Sequence, residues 1–211
     1  MATSKAQRIG IWIIAGFMAV GTIGSFAIIV LANSNAQQDQ ERVKQLTAEY
    51  TAATNKQSKE LSDKYFATLS EHAKRAAPFD ATTVTELKTE DIVIGTGDDI
   101  TEASSFNAYY VGWKPDGTVF DSSIEGTALK EPFEVAPGGV IQGWTKGAAG
   151  MKVGGIRELT IPSNLAYGEA GSGELIPANT PLKFVIMIIP APEPIEMPQE
   201  LLNYYQTGRL Q

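Results

Sequence analysis

Between residues 84 and 190, short runs of alternating apolar residues are separated by glycines and turn residues, and few folds accommodate this pattern. The clearest runs are "SFNAYYVGW" (105–113), "GGIRELTIP" (154–162) and "PLKFVIMII" (181–189). Period-two alternation bounded by Gly, Pro and Asp predicts antiparallel strands, and "PDG" (115–117) predicts a turn between two of them. The last run is apolar on both faces, which is typical of a central strand. Only residues 141–149 have a helical pattern. We therefore expect a mostly antiparallel sheet with one short helix.

Composition excludes several classes of chemistry. The chain has no Cys and one His, His72, so thiolate zinc sites, cysteine nucleophiles and histidine-based triads have almost no residues to use. His72 falls in a helical segment, where a solvated surface role is the simpler interpretation. The net charge is −7, which argues against nucleic acid as a partner because phosphate binding needs clustered Lys and Arg. No metal or organic cofactor is indicated.

A run of 24 uncharged residues, Ile9–Ala32, is long enough to span a bilayer, which requires about 20 helical residues. Lys5 and Arg8 precede the run, so the positive-inside tendency places the N-terminus in the cytoplasm and the rest of the chain outside. A cleaved signal peptide is the alternative, because residues 34–36 resemble a small-x-small cleavage site. Signal h-regions usually have about 7–15 residues, which favours an uncleaved membrane anchor. Both interpretations export the remainder.

Residues 39–76 contain neither Gly nor Pro and are rich in Ala, Lys, Glu and Gln, which predicts a helix. Val43, Leu46 and Tyr50 fit a coiled-coil seam, but Gln57 and Glu60 interrupt it. A stalk, a weak dimer coil and a solvated linker helix therefore all remain open, and so does the oligomeric state. Ala77-Pro78 should end the segment.

The sequence thus divides into five parts. They are a short cytoplasmic N-terminus (1–8), an anchor (9–32), a helical stalk or linker (33–77), a sheet domain (78–190) and a Pro-rich tail (191–211). The tail is expected to be a docked or disordered end, with one or two amphipathic turns.

Aromatic residues are concentrated at the turn borders of the sheet domain, and Trp144 is the most unusual of them. In "GGVIQGW" (138–144) no side chain can act as an acid, a base, a nucleophile or a metal ligand. Gly143, Gly147 and Gly150 surround the indole and should leave it with little cover on one side. An apolar hollow with the indole as its floor is the expected result, although a plain hydrophobic core is the simpler reading for mid-strand rings such as Phe184.

Four motifs resemble, in order and spacing, the FK506-binding-protein (FKBP) family of peptidyl-prolyl cis-trans isomerases. They are "YVGWKPDGTVFDSS" (110–123), "PFEVAPGGVIQGW" (132–144), "GMKVGGIRELTIPSNLAYG" (150–168) and "IPANTPLKFVIMII" (176–189). The resemblance covers about half of the chain, and residues 78–190 would be the isomerase domain. It implies an α+β fold, in which a strongly bent antiparallel sheet wraps around one short helix with an apolar pocket between them.

The resemblance also assigns the site residues. The residues that it implies in catalysis are Asp121, Tyr167, Phe120, Trp144, Tyr110 and Phe184. The residues that it implies in substrate binding are Phe133, Val140, Ile141 and Ile176. Trp144 would be the floor on which a proline ring packs, Tyr167 a hydroxyl donor, and the amide of Ile141 a donor to a ligand carbonyl. For Asp121, the residues leave a structural and a catalytic role equally open.

The implied partners are proline-containing polypeptides such as unfolded or exported proteins, together with macrolides such as FK506. Two positions depart from the family pattern: Ser172 replaces a His or an aromatic residue, and Trp113 replaces a smaller one. Both should lie near the rim of the pocket and alter peptide preference. A membrane-tethered isomerase that assists the folding of exported proteins is the leading hypothesis. A non-catalytic proline-binding chaperone and an oligomerising surface protein are the alternatives.

Overall fold

Residues 34–210 are described by a computed structural model, and they contain three α-helices and eight strands. The helices are α1 (Ser34–Ala73), α2 (Gln142–Ala148) and α3 (Gln199–Thr207). The strands are β1 (Lys88–Val93), β2 (Phe106–Trp113), β3 (Val119–Ser122), β4 (Ile124–Glu125), β5 (Ala128–Leu129), β6 (Phe133–Val135), β7 (Ile156–Ile161) and β8 (Leu182–Ile189). Single 3₁₀ turns lie at Ala81–Thr83, Ser163–Leu165 and Gly168–Ala170.

The main sheet is antiparallel, with strand order β1-β7-β8-β2-β3. Strand β6 pairs with the first residues of β2, on the same edge of β2 as β3. Strand β8 lies in the middle, and seven of its eight residues are buried. This confirms the prediction of a central strand with apolar residues on both faces. The even-numbered residues from 182 to 188 face one hydrophobic cluster, and the odd-numbered residues from 185 to 189 face another. The sheet therefore needs a cover on each face.

Helix α2 covers the first face. A Cβ atom on Gly143 would overlap the side chain of Ile161, and a Cβ on Gly147 would lie 2.8 Å from Leu159 Cδ2. Both glycines therefore face β7 and let the helix backbone approach the sheet closely. The short helix is confirmed, but these two glycines do not uncover the indole as the sequence analysis expects. The side chain of Trp144 is only 4% exposed.

The second half of helix α1 covers the opposite face. Leu69 is fully buried in the cluster that contains Trp113, and the rings of Tyr65 and Tyr109 lie 5.9 Å apart. Ser62 Oγ accepts a hydrogen bond from the backbone amide of Leu129 at 2.8 Å. The predicted helix is confirmed, but it ends at Ala73, four residues before Ala77-Pro78. Its second half is packed on the sheet, which differs from a solvated stalk or linker.

Residues 49–196 form one compact unit, and residues 34–48 with 197–210 belong to another. Within the second unit, Arg42 Nε and Nη2 donate to the two carboxylate oxygens of Glu200, at 3.0 and 3.1 Å. Leu201 is buried, and helix α3 ends at Thr207; the C-cap residue Gly208 has a φ of +72°, which suits glycine. The tail thus contains a two-turn helix, as the sequence predicts.

None of the helices between residues 34 and 210 combines the length and the apolar character that a bilayer span requires. The predicted anchor at residues 9–32 lies outside the described residues.

Replacing Leu69 with Ala should lower the free energy of unfolding by about 2–5 kcal/mol, because a fully buried leucine contacts the sheet at this point. Chemical denaturation of the full chain measures the difference. The matched control is Thr68→Ala, one residue away on the exposed side of the same helix. Equal stability of the Leu69 and Thr68 variants would contradict the packing of α1 on the sheet.

Candidate functional site

Three aromatic rings surround the indole of Trp144. Tyr110 lies at 5.2 Å, Phe184 at 5.4 Å and Phe133 at 6.1 Å between ring centroids, and each pair is nearly perpendicular. Edge-to-face contacts of this kind stabilise aromatic clusters beyond the burial of area alone, and they fix the tilt of each ring. Trp144 and Phe184 are buried, whereas Tyr110 and Phe133 are half-buried and reach the surface. The indole is therefore buried among these rings, and its role as the floor for a proline ring stays a prediction.

Phe120 extends this cluster through Phe184, at 5.5 Å and 89°. Both rings lie against Gly112, where a Cβ atom would be 2.6 Å from Phe184 Cε1 and 2.8 Å from Phe120 Cζ. Any larger residue at position 112 would push one of the rings away. Sequence reasoning missed Gly112, although a glycine inside a strand pattern is a signal of close approach by another group.

Asp121 holds Tyr110. Its Oδ2 accepts a hydrogen bond from the Tyr110 hydroxyl at 2.5 Å, and its Oδ1 accepts from the backbone amide of Ser122 at 2.8 Å. Burial raises the pKa of Tyr110 far above its usual value, and the hydrogen bond to Asp121 raises it further. Tyr110 therefore stays protonated, and its hydroxyl donates the hydrogen bond to Asp121. Asp121 itself is an exposed residue.

Tyr167 lies in the same cluster and is half-buried. Burial raises the pKa of its hydroxyl, and the charge of Asp121 adds to the effect, so the hydroxyl stays protonated. Within residues 34–210, no protein group forms a hydrogen bond with this hydroxyl. It is therefore a donor that remains available to a ligand.

The remaining predicted residues also pack in this cluster. Val140 and Ile141 are half-buried beside the start of α2, and Ile176 is buried. The carbonyl of Ile141 accepts from the amide of Trp144 at 3.0 Å, but no described group accepts from the amide of Ile141 itself. Ile176 exchanges two backbone hydrogen bonds with Ser172, at 2.8 and 3.2 Å, which closes the loop between them. Nine of the ten predicted side chains thus belong to one hydrophobic cluster, and Asp121 joins it through its hydrogen bond to Tyr110.

Trp113 does not belong to this cluster, and its predicted place at the rim is wrong. It is 1% exposed and packs on the opposite face of the sheet with Leu69. The cause is the alternation along β2, since Tyr110 faces the aromatic cluster and the odd-numbered residues of the strand face α1. Counting parity from Tyr110 would have placed Trp113 correctly.

The arrangement offers apolar surface and fixed donors. In the described part of the chain, no group of three or more His, Asp or Glu side chains could hold a metal ion. The donors are the hydroxyl of Tyr167, which interacts electrostatically with Asp121, and the amide of Ile141 at the start of α2. Such a site can bind an apolar ring and orient an adjacent carbonyl without acid–base chemistry.

This chain is similar to several known proteins. A sequence profile described as FKBP-type peptidyl-prolyl cis-trans isomerase matches residues 97–189. "FK506-binding protein" of Neisseria meningitidis serogroup A is 38% identical over 102 residues, which are 47% of this chain and 91% of that protein. "FK506-binding protein 2" of Yarrowia lipolytica is 43% identical over 89 residues, 42% of this chain and 60% of that one. The peptidyl-prolyl cis-trans isomerase of Pseudomonas syringae pv. tomato, which has a crystal structure, is 30% identical to this chain. The match covers 62% of this chain and 92% of that one, with a TM-score of 0.45.

Replacing Asp121 with Ala should lower kcat/KM for an X-Pro peptide by roughly tenfold while the domain stays folded, because Tyr110 loses its charged acceptor. Tyr110→Phe removes the donor of the same hydrogen bond and keeps the ring. If Asp121 acts through Tyr110, the double variant should be no slower than the slower single variant. Additive losses in a double-mutant cycle would show that Asp121 acts independently, and an unchanged Asp121→Ala enzyme would remove it from the reaction.

Proposed function

Because the chain belongs to the FKBP-type peptidyl-prolyl cis-trans isomerase family, we propose that the aromatic cluster around Trp144 is where it accelerates X-Pro rotation, and that its substrates are exported or surface polypeptides. The observation that carries the first part is the packing of five aromatic rings in one cluster that also includes Tyr167 and Ile141, whose hydroxyl and backbone amide have no hydrogen-bond partner within residues 34–210. The second part rests on the apolar run at residues 9–32.

The reaction needs no covalent step. Rotation about a peptide bond meets a barrier of ~18–20 kcal/mol, and uncatalysed X-Pro bonds equilibrate over tens to hundreds of seconds. The planar amide is polar because its nitrogen donates into the carbonyl, whereas the twisted transition state has lost much of that resonance. An apolar site therefore disfavours the planar ground state more than the twisted state. Aromatic side chains without a nucleophile are suited to this task.

In the proposed complex, the prolyl ring packs on Trp144, with the rings of Tyr110, Phe133 and Phe184 around it. The hydroxyl of Tyr167 and the amide of Ile141 hold carbonyl oxygens on either side of the rotating bond. Donors that are fixed before the reaction stabilise the twisted state without reorganising. Shape that fits the twisted geometry adds binding that the planar substrate lacks. A four-decade acceleration needs only about 5–6 kcal/mol, which these contacts can supply.

The cellular part of the proposal concerns location. The run Ile9–Ala32 has the length of a membrane span, and Lys5 and Arg8 precede it. A chain anchored in this way presents its isomerase domain outside the cytoplasm, where newly exported proteins fold. Cleavage after Ala36 would release the same domain on the same side.

Nuclear magnetic resonance exchange spectroscopy on an X-Pro tetrapeptide tests the catalytic part. We expect the full chain in detergent micelles to accelerate cis-to-trans exchange, and Phe120→Ala/Asp121→Ala to abolish the acceleration. Circular dichroism of that variant controls for folding. Acceleration that survives in the folded double variant would place the reaction elsewhere. A folded wild-type chain with no acceleration would instead indicate a proline-binding module.

The absence of cysteine from the sequence makes topology directly measurable. Thr127→Cys, at the exposed turn between β4 and β5, should react with a membrane-impermeant maleimide on intact cells. Ser4→Cys, in the predicted cytoplasmic segment, should react only after lysis. Labelling of Thr127→Cys only after lysis would contradict export, and loss of Ser4→Cys from the mature chain would indicate cleavage.

A further inference from the structure

Helix α2 carries Trp144, yet the helix has few means of its own to keep its orientation. It has seven residues, two of them are the glycines at positions 143 and 147, and its N-cap residue Ile141 makes no side-chain cap hydrogen bond. Isolated helices shorter than about 12–15 residues are marginal in water, and glycine lowers helix propensity further. The orientation of the indole must therefore come from contacts outside the helix.

Arg157 supplies such a contact at the C-terminal end of α2. Its Nη1 donates to the carbonyl oxygen of Gly147 at 2.8 Å and to that of Ala149 at 3.1 Å. The last carbonyls of a helix have no partner within the helix, and a cation is favourable at this end. The Arg157 side chain is 9% exposed, and its hydrogen bond to Gly147 is buried. Arg157 shares the face of β7 with Leu159 and Ile161, against which the two helix glycines pack.

Asp91 holds the other side of the guanidinium. Arg157 Nε donates to Asp91 Oδ1 at 2.6 Å, and Nη2 donates to Oδ2 at 3.0 Å. The two residues are directly opposite each other in the β1–β7 ladder. The hydrogen bonds from Arg157 lower the pKa of Asp91, so the carboxylate is ionised at neutral pH. A planar guanidinium can make this bidentate pair and bind two carbonyls at once, which an ammonium cannot.

We propose that Arg157, oriented by Asp91 of the edge strand β1, is a positioning residue for Trp144. It fixes the end of α2 and thereby the angle at which the indole meets the prolyl ring. The inference rests on the proposed role of Trp144 as the surface for that ring. The hydrogen bonds of Arg157 go to Asp91 and to the two carbonyls at the end of α2, so both residues act through the helix.

The test uses the full chain with ¹⁵N-labelled tryptophan in detergent micelles, and it measures kcat/KM together with the indole N–H resonances. Arg157→Lys keeps the positive charge but replaces the planar guanidinium, which donates to Asp91 and to two carbonyls at once, with a single ammonium group. We expect a shifted Trp144 resonance and a kcat/KM lowered roughly tenfold to a hundredfold, since small misplacements of a binding surface have effects of this size. Trp113, buried on the opposite face, is the internal reference and should not shift.

Asp91→Asn is the second variant, and it covers the case in which Arg157→Lys does not fold. It leaves the guanidinium on the two carbonyls but removes one charge of the pair. We expect a shift of the Trp144 resonance in the same direction and a smaller loss of kcat/KM.

Glu158→Gln is the matched control. Glu158 follows Arg157 on the same strand and is equally buried, but it pairs with Arg75 at 2.6 Å and Lys183 at 2.8 Å on the opposite face. This variant should lower stability and leave both the Trp144 resonance and the kcat/KM of the folded enzyme unchanged. An effect on both readouts equal to that of Arg157→Lys would overturn the inference, because it would indicate a general loss of packing.

Two further outcomes separate this inference from the proposed function. If Arg157→Lys changes neither the Trp144 resonance nor kcat/KM, the inference fails and the proposed role of Trp144 stands. If the resonance shifts and kcat/KM does not change, the position of the indole does not matter to the reaction. The inference then fails together with the proposed role of Trp144.

Discussion

The close approach of helix α2 to strand β7 is the contact on which the aromatic site depends. Gly143 faces Ile161 and Gly147 faces Leu159, and a methyl group at either glycine would force the helix away from the sheet. Trp144 lies between these two glycines, so its indole enters the cluster only because the backbone around it has no side chains toward β7. A residue that improved the intrinsic helix propensity of α2 would therefore displace the indole. The intrinsic helix propensity of α2 is low because the close contact with β7 requires glycine at both positions.

The second constraint is that β8 is buried on both faces. One face of the sheet is covered by α2 and the aromatic cluster, and the other by the second half of α1 with Leu69 and Tyr65. Tyr109 and Tyr110 are neighbours on β2, yet they belong to different faces. Burial raises the pKa of Tyr109 to about 12, and its hydroxyl has no hydrogen-bond partner within the described residues. The face opposite the site is therefore a full core, and α1 is part of the fold that supports the site.

The sequence predicted much of this arrangement because its signals are local. Period-two runs identified the long strands, the absence of Gly and Pro identified α1, and the four family motifs predicted ten site residues, nine of which belong to one hydrophobic cluster. The predictions that failed or were missing depend on which face of the sheet a residue occupies and on contacts between elements that are distant in sequence. Trp113 was misplaced because its motif suggested a rim position, while strand parity put it in the opposite core. The contacts of Ser62 with Leu129 and of Arg157 with α2 join residues that no periodicity connects.

The proposed reaction uses no acid, base or nucleophile, so the site depends on where its groups lie, and the charged residues around it position other groups. Asp121 uses one oxygen on Tyr110 and the other on the amide of Ser122, so its hydrogen bonds orient a neighbouring ring. Arg157 uses its donors on Asp91 and on two helix carbonyls, so it too is occupied with the protein itself. In both cases a charged group determines the position of an aromatic side chain or of the helix that bears one. Charge in this domain thus supports the shape of an apolar surface, which is what rotation of a neutral amide requires.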